Sequence, residues 1–153
     1  MLLGELGLGK PSQVAIITGD IEESKKNYAA LFGLPVPPTG DGGKFEITKC
    51  EYMGKPAPDC GAKLAFFNFD GIQIELIEPY GADSTWKDWL IKTGGGLHHF
   101  GFQVADMDEA IAKCEAAGLK LTQKGLYGDG SGIYAYFYGM DTVKCFVELL
   151  HSF

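Results

Sequence analysis

A chain of 153 residues that is 46% apolar and 22% charged has an ordinary globular composition, long enough to bury one core and too short for two independent domains. No apolar run is long enough to span a bilayer, so no membrane partner is expected. A formal charge of −7 argues against nucleic acid, because such partners need a basic face to displace phosphate counterions.

The opening residues 1–9 are glycine-rich, with neither a basic start nor a long apolar stretch. They do not read as a secretory leader; the expectation is a flexible arm and a cytoplasmic location. From Gln13 the pattern changes. Gln13-Val14-Ala15-Ile16-Ile17 alternates as a strand, and Asp20 then caps a helix, with Glu23 three residues later completing a capping box. This helix should run to about Phe32, bury Ile21, Tyr28 and Leu31, and stop at Gly33-Leu34. The Gly- and Pro-rich stretches around residues 35–43 and 54–61 read as loops, and residues 45–50 and 64–69 as strands. Gln73-Ile74-Glu75-Leu76-Ile77 is a further strand with a central glutamate. Asp83-Ser84-Thr85 should cap a short helix carrying Trp86, Trp89, Leu90 and Ile91, and Gly94-Gly95-Gly96 then gives a flexible joint.

Beyond that joint the chain repeats itself. Residues 99–109 overlay residues 13–23 position by position, with His99 in place of Gln13, Asp106 in place of Asp20 and Glu109 in place of Glu23. The second helix buries Met107, Ala110, Ile111 and Cys114, runs to about Ala117, and stops at Gly118-Leu119 as the first stops at Gly33-Leu34. Strands over 121–124 and 133–138 follow, and Phe146-Val147-Glu148-Leu149-Leu150 overlays the strand that carries Glu75. Each unit is therefore βαβββ, at about residues 11–80 and 96–151, within a single α+β domain. The loop at residues 125–132 reads as a mobile hairpin or a cover for a ligand, and Tyr134, Tyr136 and Tyr138 as a packed sheet face or a cavity wall. Cys50, Cys60, Cys114 and Cys145 are far apart, with no CxxC pair, and read as reduced, partly buried thiols.

Strand phase selects the chemistry. Side chains alternate across a strand, so Phe100, Phe102 and Val104 face a helix while His99, Gly101 and Gln103 face the other way. The same phase puts Gln13, Ala15 and Ile17, then Gln73, Glu75 and Ile77, and finally Glu148, on the equivalent face. His98 and His99 cannot both point there, and phase selects His99. Pseudo-symmetric packing of the two units can thus converge Gln13, Glu75, His99 and Glu148. Two carboxylates, an imidazole and an amide oxygen suit a divalent ion that offsets the buried charge, although each glutamate taken alone reads more readily as an exposed strand residue, the commoner state for Glu.

From about Pro11 to Leu150 the chain resembles the glyoxalase/bleomycin-resistance/extradiol-dioxygenase superfamily, also called vicinal oxygen chelate proteins. Gly96-Leu97-His98-His99-Phe100-Gly101-Phe102 before Asp106, and Glu75-Leu76-Ile77-Glu78-Pro79 leading through Ser84 to Trp89, are similar to methylmalonyl-CoA epimerases. There the later histidine of the pair is the ligand, in agreement with phase, whereas the first ligand is a histidine where this chain has Gln13. Glutamine, glutamate, histidine and glutamate in this order is instead the zinc set of eukaryotic-type glyoxalase I. The arginine and asparagine that hold glutathione in that enzyme are here Ile17 and Pro79, and a facial triad of two histidines for iron is lacking.

The resemblance implies two βαβββ units forming a curved mixed sheet around a metal cavity, and a lyase or isomerase that moves a proton through an enediolate or enolate. Its substrate would be a small molecule with vicinal oxygens. The metal set would be Gln13, Glu75, His99 and Glu148, with zinc first and nickel, cobalt, manganese or magnesium as the other ions. Glu148 would be the first proton-transferring group, Glu75 its symmetric second, and Glu46 the match to a further glutamate of the epimerases, ahead of Glu51. The resemblance also implies a homodimer. The competing class is a metal-free, drug-sequestering binding protein of the same fold.

Overall fold

Strand β1 (Gln13–Ile17) lies antiparallel to β7 (Gly96–Gln103) at the centre of a ten-stranded sheet. The computed structural model describes residue 3 and residues 6–153. After β1 come α1 (Ile21–Phe32), β2 (Gly40–Asp41), α2 (Phe45–Thr48), a small hairpin of β3 (Glu51–Tyr52) and β4 (Lys55–Pro56), and a long hairpin of β5 (Cys60–Phe69) and β6 (Ile72–Gly81). Helix α3 (Thr85–Thr93) leads into β7, which is followed by α4 (Met107–Ala116), β8 (Lys120–Leu126), β9 (Gly132–Tyr138) and β10 (Phe146–Ser152).

The strand order is β2-β5-β6-β1-β7-β10-β9-β8-β3-β4. In each half the last long strand returns parallel to the first, β6 beside β1 and β10 beside β7. The result is a curled mixed α+β sheet with two similar halves meeting at the β1–β7 seam. Among the described residues no helix is long and apolar enough to cross a membrane.

The alternation read from sequence decides which face packs. Ile21 and Ala29 of α1 cluster with Ala65, Phe67 and Leu76, joined by Ile16 and Ile74 from the same sheet face. Met107, Ala110 and Cys114 of α4 cluster in the same way with Phe137, Val147 and Leu149, joined by Phe102 and Val104. Each buried aliphatic or aromatic side chain stabilises by roughly 1.5–3 kcal/mol relative to exposure, so these two clusters anchor the helices. The opposite phase, Ala15, Ile17, Ile77 and Tyr136, turns to the concave side and meets Trp86 of α3.

The helix ends behave as the repeat indicates. Asp20 accepts from the Glu23 amide at 3.0 Å and Asp106 from the Glu109 amide at 2.9 Å. Gly33 adopts φ 67° and Gly118 φ 86°, and both helices close with the same double bond pattern. Leu34 and Gly33 donate to Ala29 and Ala30, and Leu119 and Gly118 to Cys114 and Glu115. Ser84 caps α3 by accepting from the Lys87 amide.

The insertion between β2 and β5 and the opening segment depart from the sequence pattern. Residues 45–50 are not a strand: residues 45–48 form the one-turn helix α2 and Lys49 ends it with φ 48°. The loop expected at 35–43 contains β2, and that at 54–61 contains β4 and the first residues of β5. The chain crosses between them from one sheet edge to the other, since β2 pairs with β5 while β3 pairs with β8 of the other half. Leu31 is 74% exposed, because the buried stripe of α1 runs through Ile21, Lys25 and Ala29. In the opening segment Leu3, Leu6 and Leu8 pack against the α4 cluster instead of forming a free arm, while residues 1, 2, 4 and 5 lie outside the described residues.

The glycine triplet is a fixed turn, not a joint. Gly94, Gly95 and Gly96 all have positive φ, and a Cβ on Gly95 would lie 2.7 Å from the Ile17 carbonyl oxygen, whereas one on Gly94 meets open space. Gly94→Ala should therefore cost about 1 kcal/mol of backbone strain, and Gly95→Ala should cost more, about 2–3 kcal/mol. Urea unfolding of the two variants checks this order, and equal midpoints would contradict it.

Candidate metal centre and cavity

Four polar side chains meet where the two halves join. The register explains how: Ala15 is flanked by Glu75 on β6 and His99 on β7, and Gly101 is flanked by Gln13 on β1 and Glu148 on β10. The two central positions must be small for their neighbours to lean inward. A Cβ on Gly101 would lie 3.0 Å from Glu148 Oε2 and 3.1 Å from the Gln13 Cβ.

His99 Nε2 stands 2.8 Å from Glu148 Oε2, 3.7 Å from Glu75 Oε2 and 3.1 Å from Gln13 Oε1. Ligands about 2.0–2.2 Å from one ion are spaced on the order of 3 Å apart, so the donor set has the spacing and chemistry of a divalent-ion site. All four residues are buried, His99 completely. Among the described residues Glu75, His99 and Glu148 form a group able to hold a metal ion.

The second layer of contacts was not read from sequence. Gln13 Nε2 donates to Gln73 Oε1 at 2.7 Å, and Gln73 Nε2 donates to Asn68 at 2.9 Å, which aims the Gln13 carbonyl oxygen at the group. With the amide turned over, its nitrogen would instead donate to Glu148 at 2.8 Å and Glu75 at 3.2 Å. The first orientation suits a bound cation and the second an ion-free site. The Gln13–Gln73 pairing follows from the parallel return of β6 beside β1, so the repeat carried the signal. His98, which alternation turns away, still reaches His99, with their Nδ1 atoms 2.9 Å apart. If His99 keeps its Nε2 lone pair for an ion, its proton sits on Nδ1 and His98 accepts it. The Tyr136 ring lies 4.9 Å from that of His99, centroid to centroid, and its hydroxyl accepts from Trp86 Nε1 at 3.1 Å.

Burial sets the protonation. Desolvation pushes the Glu148 carboxyl up to about 8, with the nearby Tyr136 hydroxyl acting in the other direction. Desolvation and the charge of Glu148 hold Glu75 well above the ordinary carboxylate range. Desolvation drives His99 down to about 3, so its imidazole is neutral with a lone pair free. Neutral acids and a neutral imidazole are what this site holds without a cation, and a divalent ion is what allows both carboxylates to ionise.

The group lies against a cavity of about 570 Å³, whose lining includes Gln13, Glu75 and Glu148 as well as Trp86, Tyr134 and Tyr136. Tyr127, Gly128, Asp129 and Ser131 also line it, so the loop at residues 125–132 borders the cavity. Tyr138 does not. Glu46 is exposed on α2, and Glu51 sits on β3 with its carboxylate 3.8 Å from Lys124. Neither lines the cavity, because the strand that would have carried them inward is replaced by α2 and the hairpin that crosses to β8.

A curled sheet of two βαβ-type halves with an acidic and imidazole donor set at their seam defines a glyoxalase-type architecture. The chain belongs to the glyoxalase/bleomycin resistance protein/dioxygenase superfamily, whose pattern it matches over residues 12–137. It is 26% identical over 145 residues to the ethylmalonyl-CoA/methylmalonyl-CoA epimerase of Cereibacter sphaeroides, covering 93% of this chain and 97% of that one. It is 27% identical over 121 residues to the mitochondrial methylmalonyl-CoA epimerase of Dictyostelium discoideum, covering 78% of this chain and 64% of that one. The match to the mitochondrial relatives thus spans about half to two thirds of their length, 51% for the human protein. Among solved structures, the methylmalonyl-CoA epimerase of Mycobacterium tuberculosis superimposes with a TM-score of 0.65 at 18% identity, covering 100% of this chain and 93% of that one.

A pH dependence follows. The folded-state shifts of Glu75 and Glu148 are upward, so their contribution is complete below the ordinary carboxylate range and lost as pH rises through about 8. His98 and His99 are shifted downward and are neutral, folded or unfolded, above their ordinary value of 6.5. Between pH 6.5 and about 8 the ion-free protein should therefore melt at progressively lower temperature, and added zinc should raise the melting point most at the alkaline end. Calorimetry across that range checks it; a flat ion-free profile would contradict the assignment.

Proposed function

We propose that this chain is a divalent-metal-dependent isomerase of the epimerase type, moving a proton at the carbon between the carbonyl oxygens of an acyl-thioester substrate. The convergence of Gln13, Glu75, His99 and Glu148 beside the 570 Å³ cavity carries this reading. The ion, when bound, supplies positive charge beside the substrate's vicinal oxygens and so acidifies the adjacent carbon–hydrogen bond. Zinc is the first candidate, and the four side chains named are its holders.

The chain's own groups supply the proton transfer. Glu148 and Glu75 enter from β10 and β6, on opposite flanks of the β1–β7 seam. Removing a proton from one face of a carbon and returning one to the other requires two such groups, and the pseudo-symmetry provides them. Trp86 Nε1 donates to the Tyr136 hydroxyl, which lines the cavity together with Glu148 and opposes the rise in that carboxyl's proton affinity.

The epimerase direction is favoured over a glutathione adduct. The family position for the glutathione-binding arginine is Ile17, 1% exposed and packed in the concave cluster. Among the described residues no basic side chain lines the cavity. The phosphates of a coenzyme A thioester would therefore remain outside it, with the acyl end against the glutamates. The names of the epimerase relatives point to the same substrate class.

The test is metal-stripped protein reloaded with zinc, cobalt, nickel, manganese or magnesium and incubated with methylmalonyl-CoA in deuterated water. Deuterium uptake at the carbon between the carbonyls should need an ion, be lost with ion binding in His99→Ala, and fall by about 10²-fold or more in Glu148→Gln. A protein that binds no ion but retains apolar ligands would overturn this reading in favour of a sequestering role for the aromatic cavity.

A further inference from the structure

Cys50 and Cys60 belong to none of the machinery above, yet their sulfurs lie 3.3 Å apart. Cys50 ends the segment after α2 and Cys60 opens β5. The β3–β4 hairpin between them folds back so that the Ala57 amide donates to the Cys50 carbonyl at 2.9 Å and the Cys60 amide to the Ala57 carbonyl at 3.4 Å. A covalent S–S bond is about 2.05 Å long, so closure needs little more than side-chain rotation. We propose that Cys50 and Cys60 form a reversible dithiol–disulfide couple that is oxidised by hydroperoxides.

The two sulfurs are chemically unequal. The Cys50 thiol is drawn down by the hydrogen bond from Cys60 and is also bonded by the Tyr134 hydroxyl at 3.5 Å, while the same bond to Cys50 raises Cys60. Cys50 is 4% exposed and Cys60 is more accessible. The lowered proton affinity of Cys50 makes it the attacking thiol, with Cys60 as the resolving one. The Cys50 thiolate attacks one peroxide oxygen, breaking the O–O bond and giving a sulfenic acid and one water once the leaving oxygen is protonated. The Cys60 sulfur then displaces the hydroxyl from the sulfenic sulfur as a second water and loses its proton. Two thiols thereby lose two electrons and two protons, and hydrogen peroxide becomes two waters. Cys114 and Cys145 have no such neighbour; burial pushes the first up to about 11 and raises the second, which makes them internal controls.

The couple closes the hairpin and reaches the cavity through Tyr134. A disulfide would tie residues 50–60 into a loop that fixes the β3–β4 hairpin to the start of β5. Tyr134, the partner of Cys50, is a lining residue of the cavity.

Wild-type protein treated with hydrogen peroxide and mapped by mass spectrometry without reduction should lose two hydrogens. It should yield one peptide joining Cys50 to Cys60, reverse on adding dithiothreitol, and leave Cys114 and Cys145 alkylatable. Cys60→Ser, deprived of its resolving thiol, should accumulate Cys50 sulfinic acid several-fold faster than wild type under the same treatment. Failure of wild-type protein to form the link, a link to Cys114 or Cys145 instead, or overoxidation of wild-type Cys50 at the rate seen in Cys60→Ser would each overturn the proposal. Thiol mapping of wild type stands whether or not the variant folds.

Discussion

Two carboxyls and an imidazole, all buried and with their ligand atoms within 4.8 Å of one another, impose the constraint on which the rest of the site depends. Ionised carboxylates cannot be held together out of water without a compensating charge, and the nearest imidazole is held neutral by the same burial. The surrounding structure meets that constraint at several positions. Ala15 and Gly101 give the four side chains space on the seam. Gln73 pairs with the Gln13 amide, His98 meets the His99 ring Nδ1 to Nδ1, and Tyr136 packs against that ring. None of these contacts serves the hydrophobic clusters under α1 and α4; all serve the one point where the halves meet.

The pseudo-symmetry is what brings groups far apart in sequence to one place. Each half alone offers a glutamate and one further ligand type. The parallel return of the last strand beside the first sets glutamate and first ligand on adjacent strands, and the antiparallel seam then joins the two pairs. The same topology leaves a cavity on the concave side, because the bulky alternate residues are turned to the helices. Family membership gives the architecture, while the chemistry rests on the particular residues at the seam, since one fold hosts many functions.

Much of this was legible because it rests on period and repetition. The overlay of residues 13–23 on 99–109 located both helices, and the caps at Asp20 and Asp106 with the stops at Gly33 and Gly118 follow from local chemistry alone. Alternation chose His99 over His98 and grouped Gln13, Glu75 and Glu148 with it. What failed lies in the insertion between β2 and β5. Residues 45–50 alternate as a strand would, but a single turn of helix has too few residues to show its own period, and the β3–β4 hairpin is recruited by an edge strand from the other half. Glu46, which the resemblance matches to a further glutamate of the epimerases, is carried outward by the helix. Gly94 to Gly96 read as flexible, although the Ile17 carbonyl packed against Gly95 is visible only in three dimensions. The Cys50–Cys60 contact was hidden for the same reason, since a gap of ten residues says nothing of two sulfurs until the hairpin folds.

The most direct test of the central claim is anomalous X-ray diffraction from crystals of the full chain grown with zinc, with data on both sides of the metal absorption edge. One strong anomalous peak per chain is expected, ligated by Gln13 Oε1, a carboxylate oxygen from each of Glu75 and Glu148, and His99 Nε2, with the Gln13 amide nitrogen turned to Gln73. An ion bound elsewhere, or this pocket empty with Gln13 Nε2 donating to the two carboxyls, would contradict it.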